Sequence, residues 1–323
     1  MTVAIERWPV AGAFTIARGA KTFVDVVVVT LTDGAHVGRG EATAIYYHGE
    51  TAESVAEQAR SVAQSIAAGG DRSALAGLLP RGAARNAVDA ALWSLSAHIE
   101  GVPVWRSAGL PEPCPLTTAF TLSVAEPAAM EAAARAASSR YPLLKLKLAG
   151  EGGAERVAAV RRGAPDARLI VDANEAWTNR DLPAEIAALV PFGVELIEQP
   201  VRAGEDHLLD GLNSPIMLCA DESCQDRGDL ARCIGRYGAI NIKLDKSGGL
   251  SEALVLAEEA AASGLETMVG CMLSTSLGVA PAFLLAQSAR WVDLDGPLLL
   301  ARDREPGFIF EGATMRPSAD SWG

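Results

Sequence analysis

The chain has 323 residues, 49% of them apolar, and carries a formal charge of −12 at neutral pH. That length suits one full α/β barrel or two ordinary domains around a large core. Strong negative charge disfavours nucleic acid and anionic membrane surfaces as partners, and no apolar run is long enough to span a bilayer.

The opening stretch MTVAIERWPV places Glu6 and Arg7 where a secretory leader needs an apolar centre, so a cytoplasmic protein is expected. Five cysteines without CxxC spacing predict free thiols rather than a disulfide framework or a zinc site. The chain lacks GxSxG, GxxxxGK[ST] and HExxH motifs and a strand-linked GxGxxG. Its four histidines, His36, His48, His98 and His207, are scattered, which disfavours a histidine-based triad.

In chain order, FVDVVVVTLTDGAHVGRGEA reads as two strands joined by a turn at Asp33 and Gly34. AARNAVDAALWSLSAHIEG then repeats apolar residues at Ala84, Ala87, Val88, Ala91, Leu92, Leu95 and Ile99, a helical face ending at Gly101. Residues 1–111 are therefore expected to form an α+β domain. From about residue 112, short apolar runs alternate with Ala-rich helical stretches: LTTAFTL, LLKLKL, RLIVDAN, VELIEQP, IMLCADES, AINIKLDKSGG, ETMVGCM and RWVDLDGP. From the second run onward, Lys147, Asp172, Glu198, Asp221, Lys246, Gly270 and Asp293 mark the run ends, at spacings of 23 to 26 residues. One strand, a loop and a helix need about that many residues. Eight such units predict an all-parallel barrel over 112–296, with a tail over 297–323 that packs back onto the first domain.

In a barrel, polar residues at strand ends sit at the catalytic mouth. Asp172, Glu198 and Asp221 end three consecutive strands and would repel one another unless a cation joined them. All-oxygen ligands point to Mg²⁺. Asp221 is followed by Glu222, and spacing alone does not choose between them. Lys145 and Lys147 share one face of their strand. Lys246 ends the strand half a circumference away, although in NIKLDKSGG alternation puts Lys243, not Lys246, on the face of Asn241. Two opposed lysines beside a divalent ion suit removal and return of a proton next to a substrate carboxylate through an enediolate, with Lys145 lowering the pKa of its neighbour. A Schiff-base lyase and a non-enzymatic barrel compete with this reading; the three convergent acids argue against the first, and the full set of site residues against the second.

Taken together, KLKL, VDANEAW, IEQP, CADES, NIKLDKSGG, GCMLSTS, DLDGP and GAARNAVDAALW resemble the enolase superfamily, in its muconate-lactonising subgroup, and most closely the dipeptide epimerases acting on L-Ala-D/L-Glu. The resemblance runs through nearly the whole chain. It implies a (β/α)7β TIM-like barrel with an α+β capping domain, Asp172, Glu198 and Asp221 as Mg²⁺ ligands, Lys147 and Lys246 as the acid/base pair, and Lys145 as helper. It resolves both parity questions, toward Asp221 and Lys246. Asp293 and Asp295, two apart on the last strand, match a pair that holds the free amino terminus of a dipeptide. Thr121 matches a substrate-contacting position, and Arg18 one that pairs with a glutamate side chain. Lys21 lies nearby, and Tyr46, Tyr47 and His48 stand where a close epimerase pattern has an arginine. The expected partner is thus a small dipeptide, with a homo-oligomer as in many barrel enzymes and a role in peptidoglycan recycling. The alternatives are an epimerase of L-Ala-L-Xaa without glutamate specificity, an N-acylamino acid racemase and an o-succinylbenzoate synthase-like enzyme.

Overall fold

The computed structural model describes residues 1–16, 19–148, 150–318 and 322, with the backbone alone for 13–16, 19 and 20. Three strands, β1 (Thr2–Ile16), β2 (Gly19–Asp33) and β3 (His36–Thr43), form an antiparallel sheet in the order β1-β2-β3. The β2–β3 turn is tight because Gly34 adopts φ 57°, a left-handed conformation glycine accepts without strain. The helix Ala83–Glu100 packs on this sheet and ends where Gly101 turns left-handed at φ 65°.

Val27, Val29 and Leu31 of β2 meet Val55, Ala59, Ala84, Ala87, Val88 and Ala91 in the core beneath the helix. Ile99 departs from the expected buried face: it lies in the last turn, 47% exposed. The glycines of HVGRGEA have a packing reason. A Cβ on Gly40 would lie 2.2 Å from the Ala87 carbonyl oxygen, so the helix rests directly on the β3 backbone.

LTTAFTL is not one barrel strand. Its first part, β4 (Leu116–Thr117), leaves the barrel to pair with the tail, and only β5 (Phe120–Leu122) joins the large sheet. The barrel continues through β6 (Leu143–Lys147), β7 (Arg168–Asp172), β8 (Val194–Glu198), β9 (Met217–Ala220), β10 (Ala239–Ile242), β11 (Glu266–Gly270) and β12 (Trp291–Asp293). All eight are parallel and in sequence order, and the Ala119 amide donating to the Val292 carbonyl at 2.8 Å closes the ring. The unit after β8 has only a single 3-10 turn, Asp206–Leu209, where a helix was expected.

The tail crosses both regions. Leu300 bridges to Val10, Arg304 pairs with Glu6 and Glu41 of the cap, and β13 (Ile309–Glu311) and β14 (Thr314–Arg316) form a small sheet with β4.

Inside the barrel, Ala119, Leu143, Ile170, Leu196, Cys219, Ala239, Met268 and Trp291 form one apolar layer, one residue from each strand or the residue leading into it. Side chains alternate along a strand, so the next inward layer lies two residues further on. That layer is Thr121, Lys145, Asp172, Glu198, Asp221, Asn241, Gly270 and Asp293. A dry plug thus supports a ring of polar groups.

Candidate active site

One carboxylate oxygen each from Asp172, Glu198 and Asp221 can be chosen so that all three lie within 4.8 Å of one another. Register explains the convergence. Asp172 is paired directly with Glu198 across β7 and β8, and Asp221 follows one residue beyond β9. Gln199 sets Asp221: its Oε1 accepts from the Asp221 amide at 2.8 Å and the Ser223 amide at 3.0 Å. Asn241 donates to Glu198 Oε1 at 2.7 Å. Hard oxygen donors at this density fit a divalent cation such as Mg²⁺.

Four lysines reach the cluster, Lys246 among them through Asp221 Oδ1. Lys145 Nζ lies 2.6 Å from Glu198, 2.7 Å from Asp293 and 3.7 Å from Asp172. Lys147 Nζ donates to Asp172 at 2.5 Å, and Lys243 Nζ to Asp221 Oδ2 at 2.6 Å. Burial works against the charge on Lys145, but Asp293, Glu198 and Asp172 outweigh it and raise its pKa well above the ordinary range. Lys145 is therefore fixed as an ammonium. Lys243 is raised likewise, burial being overcome by Asp221 and Glu198. The carboxylates diverge. Burial and the neighbouring Asp172 push Glu198 up to about 7, while Lys243 and Lys246 outweigh burial and hold Asp221 well below the usual range.

The third inward layer, again two residues on, contains Lys147, Asn174, Lys243 and Asp295, which line the cavity together with Asp293 and Thr121. β6 and β10 are four strands apart in an eight-stranded ring, so Lys147 and Lys243 face each other across it. Lys246 does not line this cavity. The chain stays extended through Lys243 (φ −120°, ψ 125°) and then makes one helical turn, Leu244–Ser247. That turn carries Lys246 behind the strand ends, fully buried, where Nζ donates to the carbonyls of Asp221, Cys224 and Asn241 and to Asp221 Oδ1. The lysine facing Lys147 is Lys243, as alternation favoured, and Lys246 caps strand-end carbonyls.

The choice between Asp221 and Glu222 also resolves differently from strand parity. β9 ends at Ala220 and the chain turns there, so both acids line the cavity. Burial, Asp221 and Asp172 raise Glu222 to about 8.

At the other side, Asp293 Oδ1 is buried without a hydrogen-bond partner among the described residues, while Oδ2 meets Lys145. Asp295 Oδ2 accepts from the Thr121 backbone amide at 2.7 Å. Burial and Asp293 raise Asp295 to about 7. An orphaned carboxylate oxygen beside a second acid has the chemistry to accept a charge-assisted hydrogen bond from an ammonium group. Arg18 lies outside the described residues. From the cap, Lys21, Thr43, Tyr46 and Tyr47 complete the wall, with Lys21 Nζ 5.4 Å from the centre of the Tyr46 ring and its pKa lowered by burial. Asn174, Asn241 and Gln199 were not singled out from sequence, although each sits within one or two residues of a recognised acid or lysine.

The fold and site define the class. Residues 128–303 match the family model "Enolase C-terminal domain-like", and residues 1–109 match "Mandelate racemase / muconate lactonizing enzyme, N-terminal domain". The chain belongs to this mandelate racemase and muconate lactonizing family of the enolase superfamily.

Within it, the chain is 43% identical over 309 residues to the L-Ala-D/L-Glu epimerase of Escherichia coli K12, covering 94% of this chain and 95% of that one. It is 42% identical over 296 residues to an N-acetyl-D-glutamate racemase of a Pseudoalteromonas species, covering 90% and 93%. A crystal structure from Agrobacterium tumefaciens, described as an enolase family member with homology to dipeptide epimerases and containing sodium and L-Ala-L-Glu, superposes with a TM-score of 0.97. It is 46% identical, with coverage of 100% of this chain and 99% of that one.

Proposed function

We propose that this protein is an Mg²⁺-dependent dipeptide epimerase that inverts the α-carbon of the C-terminal residue, with L-Ala-D/L-Glu as its first substrate. The observation that carries the reading is the placement of Lys147 and Lys243 on opposite sides of a cavity whose end wall holds the orphaned Asp293 carboxylate oxygen. Asp293 and Asp295 bind the dipeptide ammonium. Asp172, Glu198 and Asp221 hold the Mg²⁺, which supplies positive charge where negative charge develops on the substrate carboxylate.

In one direction Lys147, as the neutral amine, takes the α-proton, and Lys243, as the ammonium, delivers one to the opposite face; in the reverse reaction the roles exchange, a cation held by Asp221 and Glu198 offsetting the pull of those acids on the Lys243 proton. Lys145 stays charged and holds Glu198 and Asp293 in place. Arg18 pairs with a glutamate side chain at the second residue, and Lys21, half-buried beside Tyr46 in the cap wall of the cavity, supports an acidic residue there. A cap over 1–111, a barrel over 112–296, a tail over 297–323, action in the cytoplasm on peptides from cell-wall breakdown, and self-association belong to the same proposal.

The likeness to an N-acetyl-D-glutamate racemase supports a second reading, racemisation of an N-acylated amino acid. Such a substrate has no ammonium for Asp293 and Asp295. Proton NMR in D₂O decides between them. Loss of the second-residue α-proton of L-Ala-L-Glu with appearance of the other diastereomer, abolished by EDTA, is the expected result. Exchange confined to N-acetylglutamate would replace the first reading with the second.

A further inference from the structure

The acid partners of both opposed lysines, Asp172 for Lys147 and Asp221 for Lys243, come from the barrel, but the chain segments that carry the two lysines are supported from different parts of the molecule. Lys147 ends β6, with Asp172 of β7 as its partner and the Leu148 amide donating to the Asp172 carbonyl at 2.9 Å. These contacts belong to the barrel. The segment that follows Lys243 is gripped by one face of the cap helix Ala83–Glu100.

Asn86 Nδ2 and the Thr43 amide both donate to Asp245 Oδ1, each at 3.0 Å. Arg85 donates to the Ser247 carbonyl at 2.5 Å, and Asp89 accepts from the Ser251 amide at 3.1 Å and its hydroxyl at 2.5 Å. The fit leaves no slack. A Cβ on Gly248 would lie 2.1 Å from Arg85 Nε and one on Gly249 2.5 Å from Asp89 Oδ2, and both glycines have positive φ. Asp245, two residues past Lys243 and buried, is the point at which two cap groups converge on one barrel atom.

We infer that Asp245 is a positioning residue through which the cap sets the backbone carrying Lys243, so that the cap governs one proton-transfer face and the barrel the other. The inference rests on the assignment of Lys147 and Lys243 as the acid/base pair. Its chemistry is simple. If Lys243 is displaced, Lys147 still breaks the C–H bond of the diastereomer that presents its proton to that side, exchanges that proton with solvent and returns a deuteron to the same face. Exchange without inversion then survives for one diastereomer, while exchange from the other and interconversion both fail.

The test follows α-proton exchange of L-Ala-L-Glu and L-Ala-D-Glu separately in D₂O with Mg²⁺, for the wild-type chain, Lys243→Ala, Asp245→Ala, Asp245→Asn and Asn86→Ala. Lys243→Ala identifies the diastereomer that depends on Lys243. The expectation is that Asp245→Ala slows exchange of that diastereomer and epimerisation by about tenfold or more, in line with the cost of small misplacements at a reacting group, and leaves the other exchange within about twofold. Asp245→Asn, which keeps the accepting oxygen, should restore most of the loss. Asn86→Ala, which leaves the Thr43 bond intact, should reproduce the selective defect in smaller measure and serves if Asp245→Ala does not fold. Equal loss of both exchanges in the folded variants, or loss of neither, would overturn the inference. Absence of exchange from every dipeptide with the wild-type chain would overturn the functional reading itself, before any variant is compared.

Discussion

The barrel wall and the cap wall enclose the same cavity but are built by different rules. On the barrel side the polar groups other than Glu222 sit in a register: an apolar layer, then Lys145, Asp172, Glu198, Asp221 and Asp293, then Lys147, Asn174, Lys243 and Asp295, each step two residues along the chain. On the cap side, Lys21, Thr43, Tyr46 and Tyr47 come from the sheet and the turn beyond it, and no period relates them. On the proposed function, chemistry falls to the wall where strand geometry over-determines the side chains, and selectivity to the wall where the chain is free to vary.

The largest effects should fall on the barrel side. Lys147→Ala and Lys243→Ala are each expected to lower the epimerisation rate by about a thousandfold, the range of a lost general acid or base. Lys246→Met should instead cost stability, by roughly 3 kcal/mol or more, because Asp221 loses a buried cation and three carbonyls lose their donor. A melting curve alongside initial rates separates these results.

The metal centre should show a pH dependence of definite sign. Glu198, raised to about 7, must release its proton to ligate a cation. Mg²⁺ affinity by calorimetry should therefore be weaker at about pH 6 than at about pH 8, by roughly tenfold, and level off above that. A flat profile would show that Glu198 is already ionised or is not a ligand.

Smaller effects should follow at the ends of the substrate. Asp293→Asn should raise KM for a free-amino dipeptide by about ten- to a hundredfold, the strength of a charge-assisted hydrogen bond, with Mg²⁺ binding preserved. The comparison would break if Mg²⁺ affinity fell with it. The smallest shift belongs to the cap: Lys21→Met should reduce the preference for L-Ala-L-Glu over neutral L-Ala-L-Xaa dipeptides by about fivefold in kcat/KM, the value of a partly solvated ion pair. Unchanged preference would move glutamate recognition to the segment around Arg18.

The same contrast governs how much could be read from the sequence. Spacings of 23 to 26 residues located seven barrel strands, and strand ends located the three acids and Lys147, because a closed barrel converts sequence period into position. The first strand was overextended, since Leu116–Thr117 has the same apolar character whether it pairs in the barrel or with the tail. No helix follows β8, where the chain makes only the turn Asp206–Leu209. The motif resemblance favours Lys246 over Lys243, against the strand alternation. The structure sides with the alternation because extended backbone persists one residue beyond β10 before the helical turn begins. The pairing of Asp245 with Asn86, 159 residues apart, left no local signal.

The measurement that bears most directly on the account is α-proton exchange and inversion of L-Ala-L-Glu and L-Ala-D-Glu in D₂O, comparing wild type with Lys243→Ala. Wild type should exchange and interconvert both diastereomers, and Lys243→Ala should stop interconversion while one diastereomer still exchanges through Lys147. Interconversion at an undiminished rate in Lys243→Ala would contradict it, and would return the second acid/base role to another group.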